Sequence, residues 1–138
     1  MALADGRLYV GGGGHRPVVL VHTGTQLDSD AHLRAGACAV ERGYHWATTE
    51  HQLAATVDAL AGHPRVTTVA VIGLAAGARA VAELLAAEAT PLRAAVLDPP
   101  IAVASSIPVF SPRPGIVASV AVAEATMFDW LEPWLASV

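Results

Sequence analysis

Three apolar runs in this chain end at residues that could do chemistry or bind a ligand. One run ends at His22, whose imidazole can gain or lose a proton near neutral pH. Another ends at Asp98, a carboxylate, and a third leads into the small-residue turn Gly73–Gly77, which has Ala75 at its middle. Because the carboxyl ends of parallel strands meet at one edge of a sheet, these residues are predicted to form one site.

The predicted chemistry of this site is stabilisation of a carbonyl oxygen or an oxyanion. A helix that begins just after the turn would present unpaired backbone N–H groups and a partial positive charge. The first hypothesis for this site is a small apolar ligand that carries a carbonyl or acyl group; no metal and no cofactor is expected. The residues expected to contact the ligand are Thr23, Gly24, Thr25, Ala76 and Gly77.

Hydrophobic periodicity predicts the elements around the site. Val66–Ile72 has the length and the β-branched residues of a buried strand, and Arg79 and Glu83 lie four apart, as on a helix. Strands alternate with helices as far as Asp98, and 54% of the residues are hydrophobic, which favours a sheet covered on both faces. The predicted fold is α/β, a three-layer sandwich with a mainly parallel central sheet and helices on both faces, formed by residues 1–138 as a single domain.

The remaining elements are predicted from the same patterns. Gly43 is expected to end a helix, and Thr49 is expected to cap the start of the next one. A short edge strand is predicted at Asp5–Val10, and the other strands at Val18–His22, Tyr44–Thr48, Leu92–Leu97, Ile107–Phe110 and Ile116–Val122. The other helices are predicted at Ala31–Arg42, His51–Ala61 and Met127–Ala136.

The order of these motifs resembles the α/β-hydrolase superfamily in a shortened form. The N-terminal DGRLYVGGGGHRPVVLVHTG resembles the entry to the family's third strand and its His-Gly oxyanion loop, and LRAAVLDPP resembles its sixth strand. Gly73–Ala78 resembles the nucleophile elbow G-x-S-x-G, a strand-to-helix turn that holds the attacking serine. The resemblance implies a site that contains His22 and Asp98, with Ala75 at the nucleophile position.

The departures from that family determine the predicted chemistry. An alanine methyl group cannot attack a substrate, so Ala75 leaves the elbow without a nucleophile. The family's base is a His after the last strand, and no His follows His63; Asp98 without that His orients nothing. The chain is therefore predicted to be a degenerate member without a Ser-His-Asp triad. It would bind the ligand or perform non-hydrolytic acid/base chemistry, and the sequence does not decide whether it is an enzyme.

His22 has two interpretations within this site. Its imidazole could act as a general base or hydrogen-bond donor beside the small-residue turn. Alternatively, it could hydrogen-bond the loop after its strand, and this structural role is favoured because a buried polar group needs a partner.

A second resemblance leads to a different function. Val18–Asp30, followed by the helix that ends in ERGY, resembles the catalytic domain of serine recombinases, and Leu74 and Arg79 match residues of a further motif of that family. The nucleophile position would then hold His22. The alternative function is that of a non-catalytic interaction protein, derived from a hydrolase or from a serine-recombinase catalytic domain, that works as a homodimer or by binding a partner.

Composition excludes several classes of partner. The net charge is −4 and no basic cluster occurs, so nucleic-acid binding is not expected. No apolar stretch reaches the roughly 20 residues of a membrane span, and the N-terminus lacks a signal-peptide pattern. Because the single Cys38 cannot form an internal disulfide, a cytoplasmic location is expected.

Overall fold

The sheet at the centre of the molecule contains seven strands within the part of the chain that the structure describes. The computed structural model describes residues 2–3, 6–9, 15–22, 37, 39–49, 52–74, 76–87, 91–98, 101–103, 107–110 and 129–135. The strands are β1 (Ala2–Leu3), β2 (Gly6–Tyr9), β3 (Arg16–His22), β4 (His45–Thr49), β5 (Val66–Leu74), β6 (Leu92–Asp98) and β7 (Val109–Phe110). Helices α1 (Leu53–Ala61) and α2 (Ala76–Ala86) follow β4 and β5, and residues 39–41 and 129–135 are also helical.

The strand order is β1-β2-β4-β3-β5-β6-β7. The five strands from β4 to β7 in this order are parallel, and β1 and β2 continue the sheet antiparallel beyond β4. This arrangement confirms the predicted α/β fold with a mainly parallel sheet.

Two apolar clusters cover the two faces of the sheet, because successive side chains of a strand point to opposite faces. The first core cluster packs α1 and α2 against one face and includes Val18, Leu20, Leu60, Val71, Val81, Leu85 and Leu97. The second core cluster packs the helical residues 39–41 and 129–135 against the other face and includes Val19, Val21, Ala39, Trp46, Ile72, Val96, Leu131 and Leu135. The predicted three-layer sandwich is therefore confirmed.

The helix before β4 ends at Gly43, as predicted, and the backbone there forms a Schellman motif. The Tyr44 N–H donates to the Ala39 carbonyl at 2.9 Å, and the Gly43 N–H donates to the Val40 carbonyl at 3.0 Å. Gly43 has a φ of 85°, a conformation that costs a residue with a Cβ atom free energy. The Arg16 guanidinium donates to the Gly43 carbonyl at 3.0 Å, which ties this turn to the start of β3.

Some predicted boundaries are wrong. Thr49 does not cap a helix; it is the last residue of β4, and α1 begins at Leu53 after Gln52, which makes no side-chain capping bond. The strand predicted at Asp5–Val10 forms β2 but is not the edge, because β1 pairs outside it. The strand predicted to end at Ile72 continues through Leu74. The strand predicted at Ile116–Val122 lies outside the described residues.

The C-terminal helical segment, residues 129–135, packs on the second face through apolar and charged contacts. Leu131 and Leu135 are buried in the second core cluster, and the Trp130 ring stacks on Phe110 with centroids 5.3 Å apart. The Arg42 guanidinium lies 2.8 Å from an oxygen of Asp129. No helix in these described ranges is long and apolar enough to cross a membrane.

Tyr44 gives this layer a predicted dependence on alkaline pH. Burial raises the pKa of the Tyr44 phenol, the Glu132 carboxylate raises it further, and the Arg42 guanidinium opposes them. Because the folded protein holds this proton more tightly than the unfolded chain does, the raised pKa contributes to the free energy of unfolding. In the unfolded chain a tyrosine ionises near pH 10, so this contribution is fully present below about pH 10. It is lost as the pH rises from there through the higher pKa of the folded protein. We expect urea unfolding at pH 8 and pH 11 to show this loss, with Tyr44→Phe losing less stability over the same interval. An equal loss in both proteins would contradict this assignment.

Candidate functional site

The chain reverses direction across the sheet between β3 and β5. From β3 it runs to β4 on one side, and from β4 it returns past β3 to β5 and continues outward through β6 and β7. In a sheet of this kind, the connections that leave the carboxyl ends of the two strands at the reversal diverge and open a crevice where ligands bind. The β3–β5 pair is therefore the candidate site.

The strand register brings the predicted site residues to this edge. His22, the last residue of β3, pairs with Gly73 on one side and with Thr49 on the other. One residue further along, Leu74 pairs with Asp98, the last residue of β6. Thus His22 and Asp98 end two strands of the same parallel sheet, with β5 between them, as the sequence predicts.

The connection from β5 to α2 consists of a single residue. β5 ends at Leu74 and α2 begins at Ala76, so position 75 alone joins a buried strand to a helix. So short a turn requires the helix to lie close against the strand that precedes it. A Cβ atom at Gly73 would lie 2.9 Å from the Val81 Cγ2 and 3.0 Å from the Ala78 Cα. The absence of a side chain at Gly73 therefore permits this close contact.

The start of α2 supplies the electrostatics of the edge. The first N–H groups of a helix have no partner within the helix and carry a partial positive charge. The first turn of α2 contains no acidic residue that would offset this charge. Gly77, in that turn, is buried. The edge therefore favours an electron-rich group such as a carbonyl oxygen.

His22 is buried, with 2% of its surface exposed, and its ring contacts the neighbouring strand. The Nδ1 atom lies 3.0 Å from the Thr49 carbonyl oxygen, which can only accept a hydrogen bond, so Nδ1 carries the proton and donates. In the neutral ring this hydrogen bond makes Nε2 the nitrogen without a proton. The favoured structural interpretation agrees with this geometry, although the partner is the end of β4 rather than the loop after β3.

Two further threonines lie at this edge. Thr49, 0% exposed, follows the predicted strand Tyr44–Thr48 and was therefore expected at this edge, as well as to cap a helix; Thr56, 2% exposed, had no predicted role. The Thr56 hydroxyl donates to the Thr49 hydroxyl oxygen at 3.4 Å. The sequence signal for Thr56 is that it lies on the face of α1 that also buries Leu53, Val57 and Leu60.

Most of the remaining predicted site residues cannot be located among the described residues. Thr23, Gly24, Thr25 and Ala75 lie outside the described residues, and Ala76 is the first residue of α2. Among the residues that are described, no group of three or more His, Cys, Asp or Glu side chains could hold a metal ion.

Comparison with solved structures identifies the type of fold. The chain is similar to Est1E from Butyrivibrio proteoclasticus, an esterase of the α/β-hydrolase type, with a TM-score of 0.59 and 16% sequence identity. The chain therefore has an α/β-hydrolase-like fold. The match covers 66% of this chain and 44% of Est1E, so the chain spans less than half of that protein. No protein-family model matches the sequence, and no curated protein matches it either.

Adding one methyl group at Gly73 tests the close contact between β5 and α2. Gly73→Ala places a Cβ against the Ala78 backbone, which cannot move without displacing α2, so we expect a loss of about 1–3 kcal/mol in the free energy of unfolding. Gly62→Ala is the matched control, because its nearest atom, the Asp58 carbonyl oxygen, is 3.6 Å away and its φ of −88° suits any residue. The control should stay within about 1 kcal/mol of the parent in urea unfolding. Equal effects of the two substitutions would contradict the contact.

Two substitutions at His22 distinguish its nitrogens. The amide nitrogen of asparagine can occupy the place of Nδ1, whereas that of glutamine can occupy the place of Nε2. His22→Gln removes the Nδ1–H that donates to the buried Thr49 carbonyl, so it should lose about 1–3 kcal/mol of stability more than His22→Asn. Urea unfolding of both variants measures the difference. If His22→Asn is the less stable of the two, the Nδ1 hydrogen bond does not hold the edge.

Proposed function

We propose that this protein binds a small apolar ligand with a carbonyl or acyl group at the carboxyl edge of β3 and β5, and that it does not hydrolyse the ligand through a Ser-His-Asp triad. The observation that carries the proposal is the one-residue connection at position 75. It leads directly to the start of α2, where N–H groups can donate to a carbonyl oxygen. The residue at that position is Ala75, which has no nucleophilic atom.

The geometry of His22 favours binding over acid/base chemistry. A general base must reach the proton that it takes, and His22 is almost fully buried. One of its nitrogens already donates to the Thr49 carbonyl. In our proposal His22 holds the edge of the sheet while the start of α2 and the Thr23–Thr25 segment contact the ligand. Non-hydrolytic chemistry with His22 and Asp98 is the weaker form of the same proposal.

A ligand titration tests the binding site. We expect butyramide and 2-butanone to shift the backbone amide signals of Ala76 and Gly77 in ¹H–¹⁵N spectra of the full chain, with a saturable dependence on concentration. Ala75→Leu should weaken binding about tenfold or more, because it replaces a methyl group with a much larger side chain at the residue just before α2. Ala59→Leu is the matched control, since Ala59 is exposed on α1, and it should bind as the parent does. Shifts spread over α1 without saturation would refute this location.

Restoring the nucleophile should not restore hydrolysis. Ala75→Ser supplies a hydroxyl group, but a serine attacks only when a base takes its proton. None of the six histidines follows α2 in the sequence, and the Nδ1 of His22 is already engaged with Thr49. We therefore expect Ala75→Ser to cleave p-nitrophenyl butyrate no faster than the parent. A clear increase in the initial rate would show that the chain retains a competent base.

A second candidate function is that of a non-catalytic interaction protein acting as a homodimer, derived from a hydrolase or from a serine-recombinase-like domain. Among the described residues, Val40 and Trp134 are the exposed large hydrophobic side chains, at 40% and 38%, and both belong to the helical layer on the second face. Aromatic side chains are enriched at protein interfaces. Sedimentation velocity over a concentration series tests this candidate. Dimerisation that Trp134→Gln abolishes would support it, and a monomer at every concentration would exclude it.

A further inference from the structure

Polar side chains in the described part of the core gather largely at one place. The buried polar residues are His22, His45, Thr48, Thr49 and Thr56. His45 begins β4, at the amino edge of the sheet, whereas the other four lie at the carboxyl ends of β3 and β4 or on α1. Burial of a hydroxyl group costs free energy unless a hydrogen bond replaces water. The buried residues of the first core cluster, into which α1 packs, are otherwise all aliphatic.

Two hydrogen bonds connect three of these residues in series. The Thr56 hydroxyl donates to the Thr49 hydroxyl oxygen at 3.4 Å, and the His22 Nδ1–H donates to the Thr49 carbonyl oxygen at 3.0 Å. A threonine inside a helix can bond the carbonyl four residues earlier, but here the Thr56 hydroxyl contacts the end of β4. The series therefore runs from α1 through the last residue of β4 to the last residue of β3.

We propose that Thr56 is a positioning residue for His22. Its hydroxyl group fixes the Thr49 side chain at the point where β4 ends, and Thr49 in turn presents its carbonyl oxygen to the imidazole. The orientation and tautomer of His22 at the candidate site are thereby set from α1. This inference rests on the proposed function for the use of the site, whereas its geometry concerns the ligand-free protein.

The state of the His22 ring measures this positioning directly. In the parent, ¹⁵N-labelled at histidine, the ring should be the Nδ1–H tautomer, with an Nδ1 proton that is protected from exchange. Thr56→Val removes the hydroxyl group at similar volume, and we expect the Nδ1 proton to exchange about tenfold faster or more. Thr56→Ser returns the hydroxyl group and should restore most of the protection. If Thr56→Val changed only the packing, it would alter unfolding by urea and leave the tautomer signals of His22 unchanged.

Thr48→Val is the matched control for this experiment. Thr48 is a buried threonine on the same strand, one residue from Thr49, and its side chain points to the opposite face. It should leave the His22 signals unchanged. If Thr56→Val does not fold, Thr49→Val tests the series from its middle and should perturb His22 in the same way.

Three results would overturn the inference. They are unchanged His22 signals in Thr56→Val, failure of Thr56→Ser to restore them, or an Nε2–H tautomer in the parent. The ligand titration with butyramide is a separate measurement. A parent that binds nothing but shows the expected His22 signals refutes the proposed function and leaves the positioning intact, and the converse result refutes the positioning alone.

Discussion

The close contact of α2 with β5 at Gly73 is the constraint on which the candidate site depends. A strand and a helix separated by one residue must pack closely against each other. The Val81 and Ala78 atoms near Gly73 leave no room for a side chain there. This contact places the start of α2 at the carboxyl edge of the sheet, next to the point where the strand order reverses. The positive end of the helix and the crevice of the sheet therefore coincide as a consequence of packing.

β4 is the strand that flanks this edge, and a buried imidazole forms a hydrogen bond at each of its two ends. The Nε2–H of His45, the first residue of β4, donates to the Arg65 carbonyl at 3.0 Å, and the carbonyl of Thr49, the last residue of β4, accepts from His22. A carbonyl oxygen has two lone pairs and can accept a side-chain donor besides a backbone one; the Arg65 carbonyl also accepts from the Arg16 N–H at 3.1 Å. Each histidine provides such a side-chain donor, so both are parts of the sheet before they are candidates for chemistry.

The sequence was sufficient to predict the layers but not the long-range polar contacts. The apolar runs of β3 and β5 and the Gly43 stop depend on local periodicity and backbone conformation, which can be recognised in a short window. The role of Thr49 could not be recognised in this way, because its position is set by pairing with β3, whose residues lie 27 positions earlier. Local capping preference therefore suggested a helix start, and strand pairing overrode it.

The same distinction applies to the candidate site. That His22 and Asp98 end strands at one edge was predictable, because chain order and strand length determine it once the sheet is parallel. Which nitrogen of His22 carries the proton was not, because the answer depends on the Thr49 carbonyl across the β3–β4 pair. This proton decides how the site should be interpreted. A histidine at a strand end suggests a base when only its type is known, whereas a buried ring that donates to the backbone suggests a support.

An α/β-hydrolase-like fold by itself does not imply hydrolysis, since function depends on the site built on it. At this site the support and the helix start are present, and the residue between strand and helix is Ala75. The combination supports our proposal that the protein holds a carbonyl group and does not cleave it.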